Sequence, residues 1–248
     1  MKSDAFWQGK CVLITGASKG IGAAAAQAFA EEGCDLELAA RSEALLRNLA
    51  GRLTADYGIK AYIHAVDLRQ SPDVKRLGEI ADRIDVLVNN AGDIPPGTLE
   101  TIDEDTWRHS WDLKVFGYIN LTRIIYRAMK KRGRGVIIND IGMAGERADP
   151  NYIAGSSGNA ALMAFTRALG ARSPDDGIRV VAINPGPVET ERTAQFMNRL
   201  GDRMGTFPFG RFAHPREIAD LMVFLASDRS AYTSGAIFTV DGGISARS

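Results

Sequence analysis

A glycine-rich segment near the start of the chain has the composition and spacing of a phosphate-binding loop. It reads Thr15-Gly16-Ala17-Ser18-Lys19-Gly20-Ile21-Gly22 and joins a short apolar run to an alanine-rich stretch that favours a helix. Glycines here permit a tight turn and let a pyrophosphate approach the backbone closely. The free N–H groups and the dipole at the start of the following helix favour an anion. We therefore expect this segment to bind the phosphate groups of a ligand.

The elements that would position this loop alternate along the whole chain. Runs that are apolar on both faces alternate with helix-length stretches, which predicts a parallel sheet with helices on both faces. We expect one α/β domain over residues 1–248. Strands are predicted at 10–15, 36–40, 61–66, 84–89, 135–139, 179–184 and 236–240, and helices at 21–32, 42–57, 107–132, 159–171 and 214–226.

Composition excludes several classes of function. The 248 residues are 45% hydrophobic and carry 30 basic and 30 acidic side chains, so the chain is globular in character and has no net charge. A neutral chain lacks the basic field that nucleic acid favours, and no apolar run is long enough to span a membrane. Two cysteines, Cys11 and Cys34, cannot form a disulfide framework, so we expect a cytoplasmic protein. The histidines are scattered along the sequence, so we expect no bound metal.

Three further motifs make the chain resemble the short-chain dehydrogenase/reductase family. They are Asn89-Asn90-Ala91-Gly92, Asn184-Pro185-Gly186-Pro187-Val188-Glu189-Thr190 and Val240-Asp241-Gly242-Gly243. The resemblance covers nearly the whole length and implies a Rossmann-type doubly wound fold, a bound nicotinamide dinucleotide and a homodimer or homotetramer. It also implies cofactor contacts from the glycine loop (Gly16, Ser18, Lys19, Gly20, Ile21, Gly22), the adenine side (Asp67, Leu68), the ribose side (Asn90, Ala91, Gly92) and the nicotinamide end (Pro185, Gly186, Val188, Thr190).

The end of the second predicted strand favours NADP over NAD. An NAD site usually places an acid there to accept a hydrogen bond from the ribose 2′-hydroxyl. Arg41 occupies this stretch instead, with no carboxylate beside it in sequence, and its guanidinium suits a 2′-phosphate. Lys19 adds a second cation on the same side, so we expect the extra phosphate to meet two cations and no anion.

The residues that perform the family's chemistry are absent from their usual places, which makes this an atypical member. The family uses an Asn, a Ser and a Tyr-x-x-x-Lys pair, where the Tyr moves a proton and the Lys lowers the pKa of the Tyr and holds the ribose. Without gaps, the four positions fall on Lys114, Gly142, Gly155 and Asn159. A gapped alignment makes Tyr152 the Tyr, and its partner four residues on is then Ser156. Neither alignment gives the Tyr–Lys pair in this region.

Three hypotheses about function follow from this pattern. In the first, the chain is an oxidoreductase with a relocated site: Tyr152 supplies the phenol, Lys114 lowers its pKa, and Asn159 holds the ribose. A partly buried Lys114 is an alternative acid–base group within that site. In the second, the chain binds the cofactor without redox turnover, as a sensor or an interaction subunit. In the third, Lys114 serves a lyase or isomerase reaction on the same fold.

The stretch around 190–212 lies where the family carries its substrate lid. Its apolar side chains favour a largely apolar small-molecule substrate, and its glycines would let it move. The residues concerned are Phe196, Met197, Leu200, Met204, Phe207 and Phe209, with Gly201, Gly205 and Gly210.

Overall fold

The computed structural model describes residues 5–194 and 205–247, and its centre is a seven-stranded parallel sheet. The strand order is β3-β2-β1-β4-β5-β6-β7, so the direction of winding reverses between β1 and β4. In sheets of this kind the crevice at the carboxyl ends of the strands beside the reversal is the usual ligand site. The strands are β1 (Cys11–Thr15), β2 (Asp35–Ala40), β3 (Ala61–Ala65), β4 (Val86–Asn89), β5 (Gly135–Asp140), β6 (Ile178–Pro185) and β7 (Ile237–Val240).

Helices cover both faces of the sheet and bury its apolar strands. One face packs against α1 (Gly20–Glu31), α2 (Glu43–Tyr57) and α7 (Pro215–Ala226). The other packs against α3 (Ser71–Gly78), α5 (Gly117–Arg132) and α6 (Ile153–Arg172), while α4 (Glu104–Trp111) leads into α5. Alternate residues of β1 point to opposite faces of the sheet. Val12 and Ile14 pack on the face covered by α1, α2 and α7, and Leu13 packs on the other face. The predicted doubly wound α/β fold is therefore confirmed.

The predicted helix at 107–132 is interrupted by a π-helical turn. The turn spans Asp112–Phe116 and separates α4 from α5. One extra residue per turn re-aims the side chains it carries, and such turns are frequent at functional sites. Sequence periodicity reports only the average helical repeat, so a single wide turn inside a long amphipathic stretch leaves almost no trace.

Helix α6 begins earlier than predicted, at Ile153 instead of residue 159. The added turn contains Gly155 and Gly158, which have low helix propensity, so the sequence argues against it. Packing outweighs that propensity, because a Cβ at Gly158 would lie 3.2 Å from the indole nitrogen of Trp111. That nitrogen donates a hydrogen bond of 2.9 Å to the carbonyl of Ala154. The contact joins the start of α6 to the helix that precedes the π turn.

Some sequence expectations concern residues beyond the described ranges. Of the predicted lid side chains, Phe196, Met197, Leu200 and Met204 lie outside the described residues, as does Gly201. Phe207 packs edge-on against Phe212 with ring centroids 4.9 Å apart. Phe209 is 85% exposed and does not line the cavity at the carboxyl ends of the central strands. Among the described residues, no helix is both long and apolar enough to cross a membrane.

Candidate active site

A cavity of about 780 Å³ opens at the carboxyl ends of the central strands. It begins at the glycine loop after β1, passes the ends of β4 and β5, and reaches the segment after β6. All three predicted catalytic residues and most of the predicted cofactor contacts line it. They are Gly16, Ser18, Lys19, Gly20, Ile21, Arg41, Leu68, Asn90, Ala91, Gly92, Lys114, Tyr152, Asn159, Pro185, Gly186, Val188 and Thr190.

The glycine loop is shaped as an anion cradle. Gly16 and Gly20 have φ angles of +65° and +55°, a region that side chains disfavour. Gly22 is absent from the cavity wall but is needed behind it, because a Cβ there would lie 2.3 Å from the carbonyl oxygen of Gly16. Lys19 stands at the N-cap of α1, and no side chain caps the helix there. The first N–H groups of α1 are therefore available to an anion in the cavity.

Thr15 fastens this cradle to the loop after β4. Its hydroxyl accepts hydrogen bonds from the backbone N–H groups of Asn90 (2.9 Å) and Ala91 (3.1 Å). In return, the Asn90 amide donates to the carbonyl of Thr15 at 2.8 Å. These hydrogen bonds fix the backbone after β1 relative to the backbone after β4. The side-chain amide of Asn90 is one of the groups that hold the two segments together.

The expectation of two cations and no anion near the end of β2 is wrong. Arg41 does line the cavity, but the carboxylate of Asp93, from the loop after β4, lies 3.8 Å from its guanidinium. Both side chains are more than half exposed, so this ion pair is weak and Arg41 can turn toward a ligand. Sequence inspection around Arg41 missed Asp93 because the two residues are brought together only by the pairing of separate strands.

Asp67 does not line the cavity. Its carboxylate accepts hydrogen bonds from Nε of Arg69 at 2.8 and 2.9 Å and from the backbone N–H of Arg69 at 3.1 Å. The Arg69 guanidinium holds the pKa of this carboxyl below its usual value. Of the two residues expected on the adenine side, Leu68 therefore lines the cavity and Asp67 does not.

Lys114 projects into the cavity from the π-helical turn. Its side chain is only 9% exposed and runs over Gly92, where a Cβ would lie 3.0 Å from Cδ of the lysine. The amine donates a hydrogen bond to the carbonyl oxygen of Ile141, just after β5. An ammonium has three N–H donors, so this bond leaves two for other groups in the cavity.

Burial sets the protonation behaviour of Lys114 and of a carboxylate that lines the same cavity. Desolvation lowers the pKa of the Lys114 amine, and the positive charge of Arg192 acts in the same direction. Asp140, the last residue of β5, is 7% exposed and lines the same cavity. Desolvation raises the pKa of its carboxyl, and the charge of Lys114 opposes that rise. Sequence reasoning missed Asp140, although an acid ending an otherwise apolar strand is a signal.

Tyr152 occupies the space that a side chain at position 155 would need. A Cβ on Gly155 would lie 2.0 Å from two ring carbons of Tyr152, so the ring lies directly on the first turn of α6. Burial raises the pKa of the Tyr152 phenol, while the charge and hydrogen bonding of Arg192 oppose the rise. The cation beside this phenol is thus Arg192 and not Lys114, which contradicts the first of the sequence hypotheses on that point.

Replacing Gly155 with Ala tests this packing directly. The added Cβ cannot coexist with the Tyr152 ring, so we expect a loss of about 1–3 kcal/mol in the free energy of unfolding. In a Tyr152→Ala background the same change should instead stabilise α6 by about 0.5–1 kcal/mol, because Ala has the higher helix propensity. Urea unfolding of the four proteins measures both values. If Gly155→Ala changed the free energy of unfolding equally in the two backgrounds, the Tyr152 ring would not lie against Gly155.

Asn159 presents an unsatisfied acceptor to the cavity. The residue is 2% exposed, and its Nδ2 donates to the carbonyl of Gly142 at 3.3 Å. Its Oδ1 is buried and has no hydrogen-bond partner within the described part of the chain. Buried acceptors are normally satisfied, so this oxygen is suited to a ligand hydroxyl or amide. Asn159 therefore lies where a donor group of a bound molecule could reach it.

The spacing Tyr-x-x-x-Lys does occur once on α5, as Tyr126 and Lys130. The Tyr126 hydroxyl donates to Asp176 at 2.6 Å, and the Lys130 amine lies 2.9 Å from the same carboxylate. Neither residue lines the cavity. The pair is a surface ion cluster at the outer end of α5 and takes no part in the candidate site.

Comparison with known proteins gives the family. A family model described as enoyl-(acyl carrier protein) reductase matches residues 16–245. Galactitol 2-dehydrogenase (L-tagatose-forming) of Cereibacter sphaeroides is 34% identical over 240 residues, covering 95% of this chain and 94% of that protein. The L-sorbose reductase of Gluconobacter frateurii, solved with NADPH and L-sorbose, has a TM-score of 0.92 and 32% identity over 100% of both chains. A structure described as a short chain dehydrogenase/reductase family protein has a TM-score of 0.88 and 32% identity over 98% of this chain and 100% of that one. The chain belongs to the short-chain dehydrogenase/reductase family of oxidoreductases.

Proposed function

We propose that the protein transfers a hydride between NADP(H) and a carbonyl or alcohol substrate, with Lys114 as the proton-handling group. The observation that carries the proposal is the location of Lys114. Its buried amine lines the same continuous cavity as the glycine cradle. An amine whose pKa is lowered toward neutrality can give and take a proton under ordinary conditions. The relatives with the same fold that were solved with NADPH support the choice of cofactor.

The residues of the cavity fit a nicotinamide dinucleotide phosphate. Gly16, Gly20 and the uncapped start of α1 suit the pyrophosphate, since a side chain at either glycine would be strained. Arg41 and Lys19 suit the 2′-phosphate at the other rim. The orphaned Oδ1 of Asn159 suits a hydroxyl of the nicotinamide ribose. When bound, the cofactor supplies a hydride to the substrate or accepts one from it.

The chain must then supply the proton that turns a reduced carbonyl into an alcohol. Lys114 gives this proton from its ammonium: one N–H bond breaks and the O–H bond of the alcohol forms. Tyr152 is better suited to orient the substrate oxygen by hydrogen bonding, because burial raises the pKa of its phenol and keeps it protonated. In the oxidative direction the neutral amine of Lys114 takes the proton back.

The part of the cavity beside Lys114 favours a carbonyl compound with an apolar body. Ile141, Met143 and Ala144 line the wall between β5 and α6. Tyr152 lines the same cavity. The polar groups are few and placed near the reacting oxygen, which is the usual arrangement of small-molecule sites.

A binding assay followed by a turnover assay tests the proposal. NADPH and NADH are titrated into the protein, and a panel of apolar and small polar aldehydes and ketones is then screened through the absorbance of NADPH. We expect tighter binding of NADPH and its oxidation with apolar carbonyls. Tight binding without turnover across the panel would favour a sensor or interaction subunit. Substrate consumption without a change in NADPH absorbance would indicate a lyase or isomerase.

A further inference from the structure

A buried carboxylate lines the same cavity as the amine of Lys114. It belongs to Asp140, whose backbone carbonyl accepts a hydrogen bond of 2.8 Å from Tyr118. The Lys114 amine is fixed to the carbonyl of Ile141, the very next residue along the chain. A buried carboxylate is costly unless a neighbouring group stabilises its charge, so the location of Asp140 calls for an explanation.

We propose that Asp140 is the positioning counter-charge of Lys114: it keeps the buried amine protonated, so that the amine can deliver its proton to the substrate oxygen. The inference deepens the proposed function and rests on it. Nothing in the sequence pattern of the family assigns a role to an acid at this place. Asp140 itself does not need to touch the substrate, because its effect is exerted on the charge of the amine.

The other charged and titratable groups around the pair leave this role to Asp140. Arg192, from the segment after β6, disfavours a positive charge on Lys114. Its guanidinium is held by the carbonyls of Gly92 (3.4 Å) and Ile94. The phenols of Tyr118 and Tyr152 both have raised pKa values and remain neutral. Among the described residues, Asp140 is therefore the anion that favours the charged form of Lys114.

Removing the Asp140 carboxylate should change the pKa of the Lys114 amine in one direction only. In an Asp140→Asn protein, burial and Arg192 both act against the ammonium, and no anion among the described residues opposes them. The pKa of Lys114 should fall further, so that more of the amine is neutral at a given pH. Removing a nearby opposite charge in a buried site shifts a pKa by about 1–3 units. The alkaline limb of the pH profile for carbonyl reduction should move to lower pH by the same amount.

Reductive methylation of the protein without cofactor measures the amine directly. Formaldehyde with a mild hydride reagent modifies only neutral amines, and mass spectrometry reports the extent at each lysine against pH, with exposed Lys131 as the internal reference. We expect the midpoint for Lys114 to fall by about one unit or more in Asp140→Asn. Asp140→Glu, which keeps the charge, should restore most of the original midpoint. Asp112→Asn, on the same π turn but without influence on Lys114, should leave it unchanged.

The outcomes separate this inference from the proposed function. An unchanged Lys114 midpoint in folded Asp140→Asn overturns the counter-charge role, whatever the turnover. A shifted midpoint in a protein that reduces no carbonyl supports the pairing and refutes only the proposed reaction. Should Asp140→Asn fold poorly, the Lys114→Met/Asp140→Asn protein decides: we expect its melting temperature to recover by about 2–8 °C over the single variant. An equal effect of Asp140→Asn in both backgrounds would contradict the pairing.

Discussion

Lys114→Met should lower kcat/KM for carbonyl reduction by about 10²–10⁴-fold while leaving NADPH affinity nearly unchanged. That range is typical for the loss of a general acid, and Met fills the space of the lysine stem without supplying a proton. The affinity should hold because the cradle is built from the ends of β1 and β4 and from the start of α1. Stopped-flow reduction with saturating NADPH, together with a fluorescence titration of the cofactor, measures both quantities.

The matched control for this variant lies on the same helical stretch. Lys131→Met changes an exposed lysine at the far end of α5 and should leave both quantities unchanged. Lys114→Arg keeps a positive charge but not a readily lost proton, so it should resemble Lys114→Met in turnover. Full activity of Lys114→Met would refute the amine as the proton donor and would direct attention to Tyr152.

Arg41→Ala should weaken NADPH binding by about 10–100-fold and leave NADH binding almost unaffected. A charge-assisted contact with a phosphate contributes about 1.5–3 kcal/mol, and only NADPH carries the 2′-phosphate. The selectivity of the protein for NADPH should therefore collapse. Isothermal titration calorimetry with both cofactors measures the two affinities, and the effect should shrink at high salt because Arg41 is exposed.

Two further variants sharpen the cofactor experiment. Asp93→Asn removes the carboxylate near Arg41 and should strengthen NADPH binding modestly, since the guanidinium then faces only the phosphate. Arg123→Ala, an exposed arginine on α5, serves as the control for nonspecific charge effects. Equal losses of affinity for NADPH and NADH in Arg41→Ala would mean that Arg41 does not bind the 2′-phosphate.

Much of this site could be predicted because it depends on residues that lie near each other in sequence. The glycine loop, the strand before it and the helix after it are contiguous, so their arrangement follows from local rules. The ends of parallel strands meet at one edge of a sheet, and this brings the glycine loop after β1 and Asn90 after β4 to one cavity, as expected. Hydrophobic periodicity was sufficient for that level of detail.

The parts that could not be predicted depend on contacts between distant segments. The ring of Tyr152 lies over Gly155 because the first turn of α6 forms against Trp111, which local propensity disfavours. Arg192 donates hydrogen bonds to two carbonyls of the loop after β4, which lie 98 and 100 residues before it in the sequence. Asp140 was overlooked because a carboxylate at the end of a strand is most often a solvated loop residue. Burial, which only the fold reveals, gives it a different role.

A crystal structure of the protein with NADP⁺ and a bound alcohol or carbonyl compound would test the role of Lys114 as the proton donor. We expect the Lys114 amine to lie within about 3.2 Å of the oxygen of the bound compound, on the side that faces the nicotinamide. The Tyr152 hydroxyl should contact the same oxygen. A Lys114 amine turned away from the nicotinamide, with another group on that oxygen, would contradict it.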